Sequence, residues 1–88
     1  MPDYQLRWSR PARKELDRLS SQIAERIFER VDALAQVPRP SGSLKLKGDS
    51  SFWRIRIGDY RVLYAISDSE KIVSIMYIRH RKDVYRDI

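Results

Sequence analysis

The chain has 88 residues, no cysteine and a formal net charge of +6 at pH 7. This length predicts one domain over residues 1–88, and without cysteine there is neither a disulfide framework nor a thiolate metal site. A single histidine, His80, cannot form a zinc site alone. No apolar run reaches transmembrane length and no signal peptide is recognisable, so we expect a cytoplasmic protein without membrane contact.

The positive charge is the first functional indication, because 13 of the 18 cationic side chains are arginines. Arginine recognises phosphate oxygens with a planar, bidentate geometry that lysine lacks. A basic surface therefore suits phosphates, acidic proteins or anionic lipid, but it also serves solubility alone. Composition does not separate these interpretations, so the positions of the arginines in the predicted elements matter.

The first half of the chain predicts one strand followed by two helices. Residues 4–9 alternate between apolar and polar side chains, which is typical of a strand. Ser9 and Pro11 mark a helix start, and the serines at 20–21 mark a second one. The apolar stripe of the second helix has helical spacing; it comprises Ile23, Ile27, Val31 and Leu34. Two short helices joined so closely predict a helical hairpin.

The second half predicts three strands after a loop at 38–43 and a short extended piece at 44–48. The strands cover 53–57, 60–66 and 72–78, with turns at 58–59 and 67–70. The order is thus β-α-α-β-β-β. It predicts an α+β fold in which the helical hairpin covers one face of a mainly antiparallel sheet. We expect the first strand to join this sheet, in parallel with a later strand.

The segment "FWRIRIGDYRVLY" (52–64) predicts a β-hairpin with a definite register. If Gly58 and Asp59 form a two-residue loop, Arg56 lies opposite Arg61. Arg54 then shares their face. The other face is apolar and is expected to pack under the helices; it carries Trp53, Ile55, Ile57, Tyr60, Val62 and Tyr64.

A like-charge pair directly across two strands destabilises a sheet by up to about 1 kcal/mol. Either Arg56 and Arg61 extend into water or pair with acidic groups from elsewhere, or the cluster awaits an anion. Three arginines on one small face favour a phosphate-binding surface.

More cationic and aromatic residues follow on the last strand, the tail and the piece at 44–48; they are Arg79, His80, Arg81, Lys82, Tyr85, Lys45 and Lys47. Tyr85 could stack on a base or pack the terminus against the sheet. His80 could exchange protons near neutral pH or be an ordinary surface histidine. Together with Lys45, Lys47, Arg81 and Lys82, it is a candidate for RNA binding. Lys45 and Lys47 could contact RNA backbone or protect a sheet edge from pairing.

The sequence offers no carboxylate pair with an obvious acid–base role, no glycine-rich phosphate loop and no metal-ligand cluster. An enzyme acting on nucleic acid would therefore need no metal or cofactor. Such an enzyme can use the 2′-hydroxyl of RNA as the nucleophile, with arginines stabilising the charged phosphate.

The residues also resemble a known family. The segments "LKG" (46–48), "FWRIRIGDYRVLY" and "HRKDVYR" (80–86) are similar to those of the RelE/ParE superfamily of toxins from toxin–antitoxin pairs. The order of elements and the length agree with those of this superfamily. An R-x-R-x-x-x-Y element lies near the C-terminus and comprises Arg79, Arg81 and Tyr85. RelE-like members cleave messenger RNA in the ribosomal A site and leave a 2′,3′-cyclic phosphate.

The resemblance implies catalytic roles for Arg54, Arg56, Arg61, Arg79 and Tyr85. Arg61 would stabilise the scissile phosphate. Arg79 would do the same or protonate the leaving 5′-oxygen, and Tyr85 would orient the nucleotide or help to activate the 2′-hydroxyl. The best-known RelE has lysines where this chain has Arg54 and Arg56. Because arginine does not lose its proton in proteins, a general-base role does not transfer to Arg56. Either Tyr85 or His80 takes that role, or activation is electrostatic and the rate is lower.

The resemblance also implies partners, namely the ribosome, messenger RNA and a cognate antitoxin through which the complex binds operator DNA. Two alternatives stay open at this point. A ParE-like member would inhibit DNA gyrase, and a non-catalytic domain would bind RNA or the ribosome without cutting.

Overall fold

The computed structural model describes residues 3–47 and 51–81, which form two helices and five strands. The strands are β1 (Gln5–Trp8), β2 (Leu44–Lys45), β3 (Phe52–Ile57), β4 (Tyr60–Ser67) and β5 (Ile72–His80). The helices are α1 (Arg10–Arg18) and α2 (Ser21–Asp32), and α2 continues into a 3₁₀ turn at Ala33–Ala35. None of the helices in this part of the chain has the length and apolarity needed to cross a membrane.

The strands form one sheet in the order β1-β5-β4-β3-β2. Every pairing is antiparallel except that of β1 with β5, which is parallel. The predicted α+β fold and the parallel first strand are therefore confirmed. The piece predicted as extended forms a two-residue strand, β2, which pairs with the start of β3 and makes the sheet five-stranded.

The β3–β4 hairpin has the predicted register, with Ile57 opposite Tyr60 and Arg56 opposite Arg61. Gly58 has a φ of +59°, a backbone conformation that residues with a Cβ atom rarely adopt. The first position of this two-residue loop therefore favours glycine. The loop length fixes the register, and the register fixes which residues share a face.

Both helices and one sheet face enclose the core. Its helical members include Ala12, Ile27 and Val31, all fully buried. The sheet contributes alternate residues of β3, β4 and β5; those that are buried are Ile55, Ile57, Val62, Tyr64, Val73, Ile75 and Ile78. The opposite face of the sheet carries no helix among the described residues, and the cationic side chains of the hairpin lie there.

A β-bulge in β5 sets the direction of the last strand's side chains. Leu63 lies opposite Tyr77, whereas Tyr64 lies opposite Ile75, so Met76 is an extra residue on β5. Without it, the alternation that buries Val73 and Ile75 would also turn Tyr77 and Arg79 towards the core. The extra residue instead buries Ile78 and brings Arg79 to the face of the hairpin arginines.

Ser9 connects this bulge to the start of α1. Its backbone N–H donates to the Ile75 carbonyl at 2.9 Å and its hydroxyl donates to the Met76 carbonyl at 2.6 Å. The same hydroxyl accepts from the Ala12 N–H at 3.1 Å, which is the helix N-cap contact that the sequence predicted. One side chain therefore satisfies both a helix end and a bulge carbonyl.

A second polar cluster ties the loop after the 3₁₀ turn to the β4–β5 turn. Arg39 donates to both carboxylate oxygens of Asp68, from Nη2 at 2.9 Å and from Nη1 at 3.3 Å. The Tyr4 hydroxyl donates to the same carboxylate at 2.6 Å. The Arg39 guanidinium also lies 5.2 Å from the centroid of the Trp53 ring. The hydrogen bonds from Arg39 and Tyr4 lower the pKa of Asp68 from its ordinary value of 3.8.

We expect Asp68→Asn to lower the melting temperature at neutral pH. Because the pKa of Asp68 is lower in the folded chain, its contribution to stability is present above the unfolded-state pKa and is lost as pH falls through the folded-state value. The difference in melting temperature between wild type and variant should therefore become smaller as the pH falls. Thermal unfolding of both proteins at a series of pH values from 7 downwards measures it, and a difference in melting temperature that does not narrow as the pH falls would contradict the assignment.

Candidate nucleic-acid interface

Three arginines form a row across the three central strands of the sheet. Arg56 of β3 is the register partner of Arg61 on β4, and Arg61 is the register partner of Arg79 on β5. Because neighbouring strands lie about 4.8 Å apart, this arginine row spans about 10 Å at its backbone. The sequence predicted the first pair, and the structure adds Arg79 to the same line.

The arginine row is bordered by residues of mixed character on the same face. Arg54 lies opposite Leu63, and Leu63 lies opposite Tyr77. Leu44 of β2 is the register partner of Arg54 and is 52% exposed. This second line of residues runs about 7 Å from the arginine row, which is two residues along a strand. The face therefore combines a cationic row with an adjacent cation, an aromatic ring and aliphatic groups.

Local contacts orient two of the guanidinium groups. The Arg56 Nε donates to the Gly58 carbonyl at 3.4 Å, and Arg56 is exposed. The Arg79 guanidinium lies 4.6 Å from the centroid of the Tyr77 ring, and its Nη1 donates to the Ile78 carbonyl at 3.4 Å. Arg61 is half-buried between the other two.

The electrostatics of the row favour an anion. Each neighbouring pair is a like-charge pair across strands, which opposes sheet formation. An oxyanion placed over the row would accept charge-assisted hydrogen bonds, which are about twice as strong as neutral ones. Arginine cannot take up a proton, so the row can bind and stabilise a phosphate but does not supply a general base.

His80 lies on the other face from the arginine row. It is the register partner of Tyr60, and its ring meets the Tyr60 ring edge-on with centroids 5.1 Å apart. Tyr60 packs against the core. Strand alternation after Ile78 explains the position, because Arg79 faces the row and His80 faces the helix side. The register therefore argues against His80 as the base at the arginine row, while its suggested role in RNA binding stays a prediction.

Lys45 is likewise not brought to the arginine row. Its register partner is Trp53, which belongs to the helix side of the sheet, whereas its neighbour Leu44 shares the face of Arg54. Lys47 follows β2 and is exposed. Both lysines thus lie at the β2 edge of the sheet. Their suggested contacts with RNA backbone stay a prediction for that edge and not for the centre of the cationic face.

Arg81 follows β5 directly and is exposed, and its backbone N–H donates to the Asp59 carbonyl at 2.7 Å. This hydrogen bond places Arg81 beside the β3–β4 turn, near the end of the arginine row. Lys82 and Tyr85, the remaining predicted site residues, lie outside the described residues.

The sequence reasoning overlooked Tyr77. Its position two residues before Arg79 on the same strand was the available signal, because residues i and i+2 share a face. In residues 3–47 and 51–81, no three His, Cys, Asp or Glu side chains come together in a group able to hold a metal ion.

The fold and this face define a small α+β domain with a cationic sheet surface, and comparison with known proteins extends the description. The family model for the ParE toxin of the type II toxin–antitoxin system parDE matches residues 6–85. Toxin RelG of Mycobacterium tuberculosis is 31% identical over 84 residues, which are 94% of this chain and 97% of the relative.

Two solved structures are similar in fold and sequence. The archaeal RelE–RelB complex from Pyrococcus horikoshii has a chain that matches with a TM-score of 0.80 and 28% identity, covering 90% of this chain and 96% of its own. A chain of the toxin–antitoxin complex RelBE2 from Mycobacterium tuberculosis matches with a TM-score of 0.79 and 28% identity, covering 90% and 99%. The chain belongs to the RelE/ParE family of toxins from type II toxin–antitoxin systems.

Proposed function

We propose that this toxin is an endoribonuclease that cleaves messenger RNA in the ribosomal A site and so inhibits translation. The observation that carries the proposal is the arginine row, in which Arg56, Arg61 and Arg79 are successive register partners on an open sheet face. A line of guanidinium groups suits a phosphodiester backbone. The sequence resemblance to RelE-like toxins points to the same substrate.

The proposed reaction needs no metal ion. The 2′-oxygen of one nucleotide attacks the adjacent phosphorus, the bond from phosphorus to the 5′-oxygen breaks, and a 2′,3′-cyclic phosphate and a 5′-hydroxyl result. The 2′-proton leaves to a base and the 5′-oxygen receives a proton. Negative charge grows on the phosphate oxygens in between, and Arg61, flanked by Arg56 and Arg79, would stabilise that charge. Arg54 would hold a neighbouring part of the RNA backbone.

The arginine row leaves the proton transfers to other groups. Arginine is not a base, and His80 lies on the other sheet face. Tyr85, from the sequence resemblance, is our candidate for orienting the nucleotide or helping to activate the 2′-hydroxyl. Lys82 and Arg81 would add backbone contacts. Because the row by itself lacks a complete acid–base set, we expect the ribosome to be required to position the substrate.

The proposed partners follow from the proposed reaction and from the relatives. The similar structures are complexes of RelE-type chains with antitoxins. We propose that a cognate antitoxin neutralises this chain, that the pair binds operator DNA through the antitoxin, and that the toxin acts in the cytoplasm.

The test is primer extension on messenger RNA from a purified translation system, with and without the protein. We expect cuts within codons that occupy the A site, and no cuts in the same RNA when ribosomes are omitted. Mass spectrometry of the fragments should detect the 2′,3′-cyclic phosphate. Efficient cleavage of naked RNA would contradict the ribosome requirement, and translation without any cuts would contradict the proposal.

A ParE-like inhibitor of DNA gyrase is the second candidate, favoured by the family model, which describes ParE toxins. A supercoiling assay with purified gyrase separates the two, since an inhibitor of gyrase would block supercoiling and leave messenger RNA intact. A non-catalytic binder would stall translation without cuts and would leave gyrase active.

A further inference from the structure

Tyr77 contacts Arg79 but has no role of its own in the proposed reaction. The Arg79 guanidinium lies 4.6 Å from the Tyr77 ring centroid, within the distance at which a cation is attracted to the face of an aromatic ring. Both residues reach the cationic face only because of the extra residue Met76 in β5. The bulge thus brings the ring and the guanidinium to the arginine row together.

The contact opposes two effects that would displace Arg79. The register partner of Arg79 is Arg61, and two like charges directly across neighbouring strands repel each other. An arginine side chain also loses rotamer entropy when it is held in one geometry. The electron-rich ring face attracts the guanidinium and restricts its rotamers before any RNA arrives.

We infer that Tyr77 is a positioning residue that holds the guanidinium of Arg79 in line with Arg56 and Arg61 for a phosphate. The inference rests on the proposed function for its consequence in catalysis. Burial in the core is not the role of Tyr77, because its register partner Leu63 lies on the face away from the helices. Tyr77 would act through Arg79 and need not touch the reacting atoms.

The geometry is tested first, by a measurement independent of activity. The full 88-residue chain is made by chemical synthesis with ¹⁵N-labelled arginine at position 79 only. A proton above a ring face resonates upfield, so the Arg79 Nε–H signal should move downfield in Tyr77→Leu and stay near its wild-type position in Tyr77→Phe. A signal that does not move in Tyr77→Leu would overturn the inference.

The consequence is tested by a double-mutant cycle in the translation assay. Tyr77→Leu should reduce the cleavage rate about 2- to 30-fold, the range of cation–π contacts from exposed to desolvated sites. It should have no further effect, within twofold, in an Arg79→Ala background. Tyr77→Phe, which keeps the ring face, should cleave within twofold of wild type.

Tyr4→Leu is the control, because Tyr4 makes a contact of the same kind with Lys71, at 4.9 Å, just before β1. The change also removes the hydrogen bond from Tyr4 to Asp68, so cleavage is compared at a temperature where both proteins are fully folded. It should leave the cleavage rate unchanged. An equal loss from Tyr77→Leu in both backgrounds would show that Tyr77 does not act through Arg79, and would overturn the inference.

The two claims fail in different ways. If the wild-type chain does not cut messenger RNA, the proposed function is wrong. The same cycle is then measured as binding of a 2′-O-methyl RNA hexamer by fluorescence anisotropy. Coupling between Tyr77 and Arg79 in that assay would support the positioning role, and additive losses would overturn it.

Discussion

Arg61→Ala is expected to lower messenger-RNA cleavage in a translating system by about 100- to 1,000-fold, the usual loss when a donor that stabilises transition-state charge is removed. Arg61 is the centre of the arginine row, with Arg56 and Arg79 as its register partners on the two sides. A phosphate centred over the row would therefore lie nearest to Arg61. Primer extension with matched amounts of ribosome and protein measures the loss.

The loss of cleavage should not come from unfolding, because Arg61 is only half-buried and its register partners on both sides carry the same charge. Arg30→Ala is the control, since it removes the same charge from an exposed position on α2, behind the sheet. Thermal unfolding of both variants accompanies the cleavage assay. If Arg61→Ala unfolded at the assay temperature, its loss of cleavage would be structural, and equal cleavage by both variants would contradict the role of the row.

Ser9→Ala is expected to destabilise the fold by about 1.5–5 kcal/mol. The change removes an N-cap, which costs about 0.5–2 kcal/mol, and leaves a partly buried carbonyl unsatisfied, which costs about 1–3 kcal/mol. The two losses arise together because one hydroxyl accepts from Ala12 and donates to Met76. Urea unfolding followed by tryptophan fluorescence gives the difference.

Ser20→Ala provides the matched control, because Ser20 caps α2 with a longer, exposed contact of 3.4 Å to the Ile23 N–H and makes no contact with the bulge. We expect it to cost about 0.5–1 kcal/mol. Ser9→Thr keeps a hydroxyl that can cap and donate, and should retain most of the stability. If Ser9→Ala costs no more than Ser20→Ala, the bulge carbonyl does not depend on Ser9.

The bulge links these predictions to the proposed site. It gives Arg79 its place in the row, and Ser9 satisfies the carbonyl of its extra residue, Met76. Substitutions at Ser9 are therefore expected to affect cleavage through the direction of Arg79 as well as through stability. Comparing cleavage rates at a temperature where both proteins are fully folded separates the two effects.

Much of the fold was predictable from the sequence because its determinants are local. The polar and proline residues at Ser9 and Pro11 start α1, and alternation of apolar residues identifies β3 and β4. Gly58 and Asp59 form a two-residue loop, which fixes the pairing of Arg56 with Arg61. Each of these features depends on residues within a few positions of each other, so the local sequence is enough to predict them.

Only the tertiary structure decided to which face of the sheet the last side chains of β5 point. Period-two alternation along β5 would have turned Arg79 towards the core, and the extra residue Met76 reverses that direction. The bulge depends on the fit between β4 and β5 and on hydrogen bonds from Ser9, which is 67 positions away from Met76 in the chain. Local alternation predicts that Tyr77 and Arg79 share one face of β5 and that His80 lies on the other. Which of these faces is the cationic one follows from the bulge and its long-range contacts.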